Sequence, residues 1–177
     1  MMEKGEKKKF LNAVKYTLVT VAILLMLTTI ICAPDVSVVT KKEKPAGSIR
    51  GVTYEVRNGG LGMVEKCWLY LQVRSDLLDK TTSPWLLFEN YEPVTEDDLL
   101  KYDLQAKTGY TIIKVNIGRI PPSWWVQNKK SVTIKIVFDG VSPQSDIFIE
   151  ESYLVFSGFL DAMKEEYTVR EIRAVAF

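Results

Sequence analysis

The sequence contains no histidine, and this absence excludes several classes of function. Its 177 residues include two cysteines and no histidine. Histidine is the commonest general base and metal ligand, and it forms the Ser-His and Cys-His pairs of many hydrolases. Zinc and copper sites need histidine or several thiolates. We therefore predict that the protein is not an enzyme and holds no metal or cofactor.

Cysteine is also scarce. Cys32 lies at the end of an apolar stretch, and Cys67 stands alone in the remainder of the chain. An intramolecular disulfide is not expected, so packing and hydrogen bonds must stabilise the fold. Cys67 falls on the aliphatic side of a strand pattern, which predicts a small buried core residue.

Clustered basic charge is lacking downstream of the N-terminus. The net charge is +1, and residues 1–15 hold five lysines and two glutamates, a net of +3, which leaves −2 for the rest. Phosphate binding needs clustered Lys and Arg, so we expect no nucleic-acid partner. Gly59-Gly60-Leu61-Gly62 matches neither a Walker nor a GxGxxG motif and is interpreted as a hairpin turn.

The N-terminus, in contrast, carries a long apolar run. Residues 16–33 form an 18-residue segment without a charge, directly after the lysine-rich residues 1–15. As a helix it would measure about 27 Å, close to the ~30 Å hydrocarbon core of a bilayer. We predict one transmembrane helix over residues 16–33 that contacts membrane lipid. A cleaved signal peptide and a lipoprotein modified at Cys32 are the alternatives, but the residues around Cys32 fit neither cleavage motif well.

Lysines also indicate an orientation. Five lysines precede the apolar segment, whereas Lys41, Lys42, Lys44 and Arg50 follow it. Because positive flanks favour the cytoplasm, we expect a cytoplasmic tail over residues 1–15 and an extracytoplasmic C-terminal domain. The same lysines would attract anionic lipids.

The remaining chain divides into a predicted stalk and one predicted domain. Residues 34–48 are rich in Ser, Thr, Lys, Pro and Gly, which is typical of a solvated linker, and residues 49–177 have the length of one domain. Val52, Tyr54 and Val56 alternate with polar residues, which predicts a half-buried strand. Asn58-Gly59-Gly60 is expected to supply positive φ angles for a turn.

Further elements follow from the same patterns. Thr95 and Asp98 form a capping box for a short helix that reaches Tyr102. Pro121 and Pro122 exclude a central strand between two alternating runs. Short strands without long helical periodicity predict an all-β, antiparallel β-sandwich. The additional strands are expected at residues 64–74, 85–88, 110–117, 132–138 and 147–156, while residues 159–177 fit either a helix or a strand.

Two short motifs support a family resemblance. Val56-Arg57-Asn58-Gly59-Gly60 precedes a long alternating strand, and Ile120-Pro121-Pro122 precedes another. This order resembles membrane-anchored immunoglobulin-like sandwiches of archaeal envelopes, and it is similar to the sandwich of desiccation-associated LEA14/WHy-type proteins. The likeness covers roughly residues 51–138. It implies an immunoglobulin-like β-sandwich with an envelope or binding role and no catalytic centre.

Carboxylates are the remaining side chains that could bind a metal ion or catalyse a reaction. They cluster at Glu96-Asp97-Asp98, Glu150-Glu151 and Glu165-Glu166. The first group follows Thr95 and suits a helix N-terminus. Adjacent acids on a strand point to opposite faces, so Glu150 and Glu151 would not share a ligand. We interpret these acids as solvated or capping groups, with a calcium site or acid-base catalysis as alternatives.

Aromatic residues are the candidate interface. Trp68 and Tyr70 lie opposite the aliphatic side of their strand, and Trp124 and Trp125 follow the two prolines. Either these rings pack internally, or they form an apolar patch that a partner or the membrane surface covers. We expect a single-pass, non-enzymatic binding or structural subunit of a cell-envelope or membrane complex with protein partners. A tethered small-molecule or glycan-binding module is the alternative, followed by a carboxylate-dependent membrane enzyme.

Overall fold

A long helix leads into a domain of two packed sheets. The computed structural model describes residues 4–140 and 147–176. The helices are α1 (Lys4–Ile31), α2 (Glu96–Lys101) and α3 (Phe159–Met163), and residues 75–78 form a 3-10 turn. The strands are β1 (Val36–Lys42), β2 (Ile49–Asn58), β3 (Val64–Arg74), β4 (Trp85–Leu87), β5 (Glu92–Pro93), β6 (Tyr110–Asn116), β7 (Lys129–Val137), β8 (Ile147–Ile149), β9 (Ser152–Gly158), β10 (Thr168–Ile172) and β11 (Val175–Ala176).

The strands form two antiparallel sheets. The first sheet has the order β1-β2-β7-β4, and the second has the order β10-β9-β3-β6-β5, with β8 pairing with both β3 and β11. Their inner faces share one apolar core that contains residues of both sheets. This confirms the prediction of a mostly β, antiparallel domain behind an apolar N-terminal helix.

The core follows the period-two pattern of the sequence. Val52, Tyr54 and Val56 on β2 are fully buried, as predicted. Strand β3 has the predicted bounds, and its aliphatic side packs into the core. Cys67 is a free, buried thiol, and burial raises its pKa to about 12. Each large apolar side chain removed from water contributes roughly 1.5–3 kcal/mol.

Helix α1 is longer than the predicted span. It begins at Lys4, so part of the lysine-rich tail is helical, and it ends at Ile31. Its stretch Lys9–Ile31, 23 residues, is long and apolar enough to cross a membrane by length and composition, and none of it is buried in the domain. Beyond α1, the Cys32 backbone N–H still donates to the Thr28 carbonyl at 2.9 Å.

The predicted stalk over residues 34–48 is wrong for much of its length. Strand β1 occupies residues 36–42 and pairs with β2 from Val36↔Asn58 to Lys42↔Val52. Val36 is fully buried. Burial of its apolar side chain stabilises a strand at this position relative to a solvated linker. The domain therefore begins directly after α1 rather than near Ile49.

The glycine-rich segment after β2 is not a hairpin turn. Strand β2 belongs to the first sheet and β3 to the second, so residues 59–63 cross between the sheets. The glycines with positive φ lie elsewhere, at Gly47, Gly109, Gly118 and Gly140. The expectation of positive φ angles for a turn at Asn58-Gly59-Gly60 is wrong, because here small residues are needed for close approach to other backbone.

Two more expectations change near the C-terminus. The strand predicted over residues 147–156 is split into β8 and β9, because the backbone turns at Glu150 and Glu151. The Ser152 hydroxyl stabilises this break by accepting from the Gln72 N–H and donating to the Glu150 carbonyl. The ambiguous segment 159–177 contains both a helix, α3, and strands β10 and β11.

Three connections leave the same end of the domain. They are residues 59–63, residues 117–128 and the segment that begins with α3. The pairings Arg57↔Lys129, Trp68↔Asn116 and Val64↔Gly158 place the corresponding strand ends together. Helix α1 arrives at this end, since β1 starts opposite Asn58. We call it the helix end and the opposite one the distal end.

Candidate functional site at the helix end and the outer face of the second sheet

The four predicted interface residues lie in two separate places. Trp68 and Tyr70 are on the outer face of β3, whereas Trp124 and Trp125 lie in the connection from β6 to β7 at the helix end. The structure therefore does not bring them together as one patch, and each pair has different surroundings.

The Trp68 and Tyr70 face is largely covered by the chain itself. Tyr70 is fully buried, and its ring lies 5.8 Å from that of Tyr102. Tyr167 completes an aromatic cluster, with ring centres 5.3 Å from Tyr102 and 5.8 Å from Trp68. Tyr70 is thus a packing residue, whereas Trp68, like Tyr167, is only partly buried.

Helix α2 holds Tyr102 in position over this face. The helix starts as predicted, with the Thr95 hydroxyl accepting from the Asp98 N–H at 3.1 Å. The Asp98 carboxylate pairs with Lys114 of β6 at 3.0 Å, and the Lys114 ammonium lies 5.3 Å from the Trp68 ring centre. Burial raises the pKa of Tyr102 to about 12, so its hydroxyl stays neutral. The cluster is a packed aromatic platform with two cations against it, Lys114 and also Lys101, whose ammonium lies 4.7 Å from the Tyr167 ring centre.

Trp68 remains partly exposed at a shallow groove. The groove has a volume of about 240 Å³ and is lined by Glu65, Lys66, Cys67, Trp68, Asn116, Gly118 and Arg119. The Arg119 guanidinium is paired with the Glu65 carboxylate along this groove. An aromatic side chain bordered by charged groups is typical of a protein-binding surface.

Trp124 and Trp125 are exposed. Their exposed fractions are 43% and 48%, and that of the next residue, Val126, is 98%. The rings pack edge to face with centres 5.6 Å apart. The connection is ordered by its own backbone, because the Trp125 N–H donates to the Pro122 carbonyl at 3.0 Å. Three consecutive apolar side chains are therefore presented outward from a fixed loop.

Asn58 organises the helix end, and sequence reasoning missed this role. It is fully buried; its amide donates to the Gly62 carbonyl at 2.8 Å and to the Pro121 carbonyl at 3.1 Å. Its side-chain oxygen accepts from the Gly60 N–H at 3.0 Å. One amide thereby ties two connections together. An asparagine before two glycines was the available signal, but it was interpreted as turn chemistry.

Glycines in the same connection allow α1 to dock on the domain. The Met63 N–H donates to the Thr29 carbonyl of α1 at 3.1 Å. A Cβ at Gly62 would lie 1.8 Å from the Cys32 carbonyl oxygen, and one at Gly60 would lie 2.4 Å from the Asp35 nitrogen. Helix α3 also contacts α1. The end of α1 and the domain are therefore in direct backbone contact.

A cleft lies along the side of the domain, between the edge of the first sheet and the edge of the second. It has a volume of about 720 Å³ and runs between β1 and the segment from Arg170 to Val175. Arg170 closes one end of it, since its guanidinium donates to the Val36 carbonyl and pairs with Asp35 at 3.2 Å. This arginine links the edge strand of the first sheet to the edge strand of the second.

The acidic clusters do not converge. Glu150 pairs with Lys107 at 2.7 Å, and Asp98 is engaged by Lys114. Over residues 4–140 and 147–176, no group of three or more Cys, Asp or Glu side chains lies close enough together to hold a metal ion.

No protein-family model matches the chain, and no curated protein sequence is significantly similar to it.

Proposed function

We propose that this is a single-pass membrane protein whose domain acts, without catalysis, as a binding or structural subunit of a membrane or cell-envelope complex. The joint between α1 and the domain carries the proposal. Helix α1 contains a stretch of 23 residues that is long and apolar enough to span a membrane. Only residues 32–35 separate it from the first strand. A domain joined in this way stays beside the bilayer, which suits a subunit that assembles there better than a module that reaches out for a ligand.

The orientation we propose places residues 1–15 in the cytoplasm and the domain outside. The five lysines before the apolar segment support it, because positively charged flanks favour the cytoplasmic side. Membrane lipid is then the first partner, contacted along residues 16–33.

The fold we propose is the immunoglobulin-like type of β-sandwich. Two packed antiparallel sheets support it, as do the crossings between them. The chain crosses between the sheets from β2 to β3, from β3 to β4, from β4 to β5, from β6 to β7 and from β7 to β8. Such crossings are typical of Greek-key sandwiches.

The alternative of a tethered glycan- or small-molecule-binding module receives less support. It requires Trp124 and Trp125 to stack on the ligand. Both lie at the helix end, on the side of the domain where α1 arrives. A soluble glycan would have poor access to that side when α1 is in a bilayer.

We assign the contact with a protein partner to the groove at Trp68. Trp68 is a partly exposed aromatic residue on a packed aromatic platform, and the charged residues Lys66 and Arg119 border it. A central aromatic side chain with a polar rim concentrates binding energy in protein interfaces. Tyr70 contributes from below by fixing the platform.

The test is extraction of the full chain, tagged at its C-terminus, from its native membrane in mild detergent. The native mass and the co-purifying chains are measured for the wild type, Lys66→Glu and Lys135→Glu. Both lysines are exposed on strands, but Lys135 lies on the first sheet, so it is the matched control for the change of charge.

A discrete complex that Lys66→Glu dissociates and Lys135→Glu keeps would support the proposal. A complex unaffected by Lys66→Glu would overturn the groove assignment. A lone protomer in the wild type would overturn the subunit role and return the search to a tethered ligand-binding module.

A further inference from the structure

Exposed apolar side chains are concentrated at the helix end of the domain. Outside α1, twelve large apolar residues are exposed among those described, and seven belong to the three connections at this end. The seven are Leu61, Trp124, Trp125, Val126, Phe159, Leu160 and Met163. The other five, Val39, Leu87, Leu100, Ile147 and Val169, are spread over other surfaces. Clustering of this kind marks an interaction surface rather than chance exposure.

Two stretches of these connections are free of charge. Residues 59–63 and 120–127 contain no Asp, Glu, Lys or Arg, whereas the charged residues of the connections are Arg119, Asp161, Lys164, Glu165 and Glu166. At the distal end, by contrast, the stretches 43–48 and 75–80 hold Glu43, Lys44, Asp76, Asp79 and Lys80. An uncharged surface can leave water at low free-energy cost, whereas the distal surface cannot. The two ends of the domain therefore suit different surroundings.

The position of α1 in a bilayer determines the depth at which this surface lies. Helix α1 is uncharged from Tyr16 to its end at Ile31, a length of about 24 Å, whereas a hydrocarbon core measures about 30 Å. The last turn of α1 is thus needed at the membrane boundary. Met63 is hydrogen-bonded to Thr29 in that turn, and Gly62 contacts the Cys32 carbonyl. The connections at the helix end consequently lie at the level of the headgroups.

We propose that the helix end of the domain docks into the lipid bilayer, with Trp124, Trp125 and Val126 inserted at the boundary between headgroups and hydrocarbon. Tryptophan favours this boundary, because its ring is apolar and its N–H reaches a polar neighbour. The inserted side chains are apolar, and the basic residues Arg119, Lys129 and Lys130 lie beside Val126, so neutral phosphatidylcholine tests the apolar contact alone. The docked loop and α1 together fix the orientation of the domain and turn the distal end outward. This inference rests on the membrane anchoring in the proposed function.

Tryptophan fluorescence of the full chain tests the docking. The chain contains four tryptophans, of which Trp68 and Trp85 lie away from the docked loop. Wild type, Trp124→Phe/Trp125→Phe and Trp68→Phe/Trp85→Phe are reconstituted into phosphatidylcholine vesicles with and without brominated acyl chains. Bromine atoms on the acyl chains quench the fluorescence only of tryptophan rings that lie within the bilayer. Flotation of the vesicles measures anchoring in the same samples.

We expect brominated lipid to lower the emission of Trp124 and Trp125 at least about two-fold, because interfacial rings lie at headgroup level, and to leave Trp68 and Trp85 nearly unchanged. If Trp68→Phe/Trp85→Phe does not fold, the difference between wild type and Trp124→Phe/Trp125→Phe gives the same quantity. Equal, small quenching in protein that floats with the vesicles would overturn the docking and assign the surface to a protein neighbour. Protein that does not float with the vesicles would instead overturn the membrane anchoring. Dissociation of the complex in the detergent extraction described above bears only on the subunit role, so the failures of the two proposals can be told apart.

Discussion

At the scale of single residues, Tyr54 shows how the core tolerates a polar atom. Its ring fills the space between the sheets, but its hydroxyl is buried and, among the described residues, has no hydrogen-bond partner. Burial raises the pKa of this hydroxyl above its usual range, so it stays neutral. A buried hydroxyl without a partner loses the hydrogen bonds that water supplied in the unfolded chain, and that loss costs about 1–3 kcal/mol.

Replacing Tyr54 by phenylalanine should therefore stabilise the fold. Tyr54→Phe keeps the ring and removes the unsatisfied oxygen, so we expect a gain of about 1 kcal/mol in the free energy of unfolding. Thermal unfolding of the full chain in detergent micelles measures it. Tyr110→Phe is the matched control, because the Tyr110 hydroxyl donates to the Ile147 carbonyl at 3.0 Å and its loss should destabilise. Equal destabilisation by both changes would contradict the prediction.

At the scale of elements, Glu55 links three strands of the first sheet. Its carboxylate on β2 accepts from Arg57 at 2.7 Å and from Lys41 of β1 at 3.3 Å, and Lys129 of β7 lies 3.8 Å away. The hydrogen bond from Arg57, followed by that from Lys41, holds the pKa of Glu55 below its usual range. The edge strand β1 is thus attached by charge as well as by its backbone ladder.

This arrangement predicts a pH-dependent stability. The pKa of Glu55 is lower in the folded than in the unfolded chain, so its contribution is present above the unfolded value near 4.5 and is lost as the pH falls through the lowered folded value. We expect Glu55→Gln to lower the unfolding temperature at pH 7 and to approach the wild type as the pH falls through the lowered folded value. Glu166→Gln, a change of an exposed glutamate, is the control that should have little effect over the same pH range. A constant difference between Glu55→Gln and wild type across this range would refute the linkage.

Elements with a strong local pattern were the ones that the sequence predicted well. The bounds of β3, the cap at Thr95 and the buried series on β2 all follow from periodicity or from one side-chain hydrogen bond. Strand β1 was missed because its polar residues match a linker, and only pairing with β2 makes it a strand. The helix end was missed because Asn58 and Gly62 act through contacts with segments distant in sequence, which no local pattern encodes.

At the scale of the whole molecule, the joint between α1 and the domain decides how the protein can sit at a membrane. Four glycines at this joint approach the residues that follow α1, and three of them, Gly62, Gly158 and Gly59, do so to clearly different degrees. An added Cβ would lie 1.8 Å from the Cys32 oxygen at Gly62, 2.9 Å from the Pro34 ring at Gly158 and 3.7 Å from the Asp35 oxygen at Gly59. None of the three has a φ in the left-handed region, so alanine tests space alone.

Alanine at these three positions should destabilise the joint in the order of those distances. Gly62→Ala forces backbone against backbone and should cost about 1–3 kcal/mol, as overpacking does. Gly158→Ala meets a proline ring that can shift, so a smaller loss is expected, and Gly59→Ala should be nearly neutral. Thermal unfolding and the rate of proteolysis between residues 32 and 36 measure the effect in the full chain. Equal behaviour of Gly62→Ala and Gly59→Ala would mean that α1 is not held against the domain, and then neither a fixed orientation nor docking of the helix end follows from this joint.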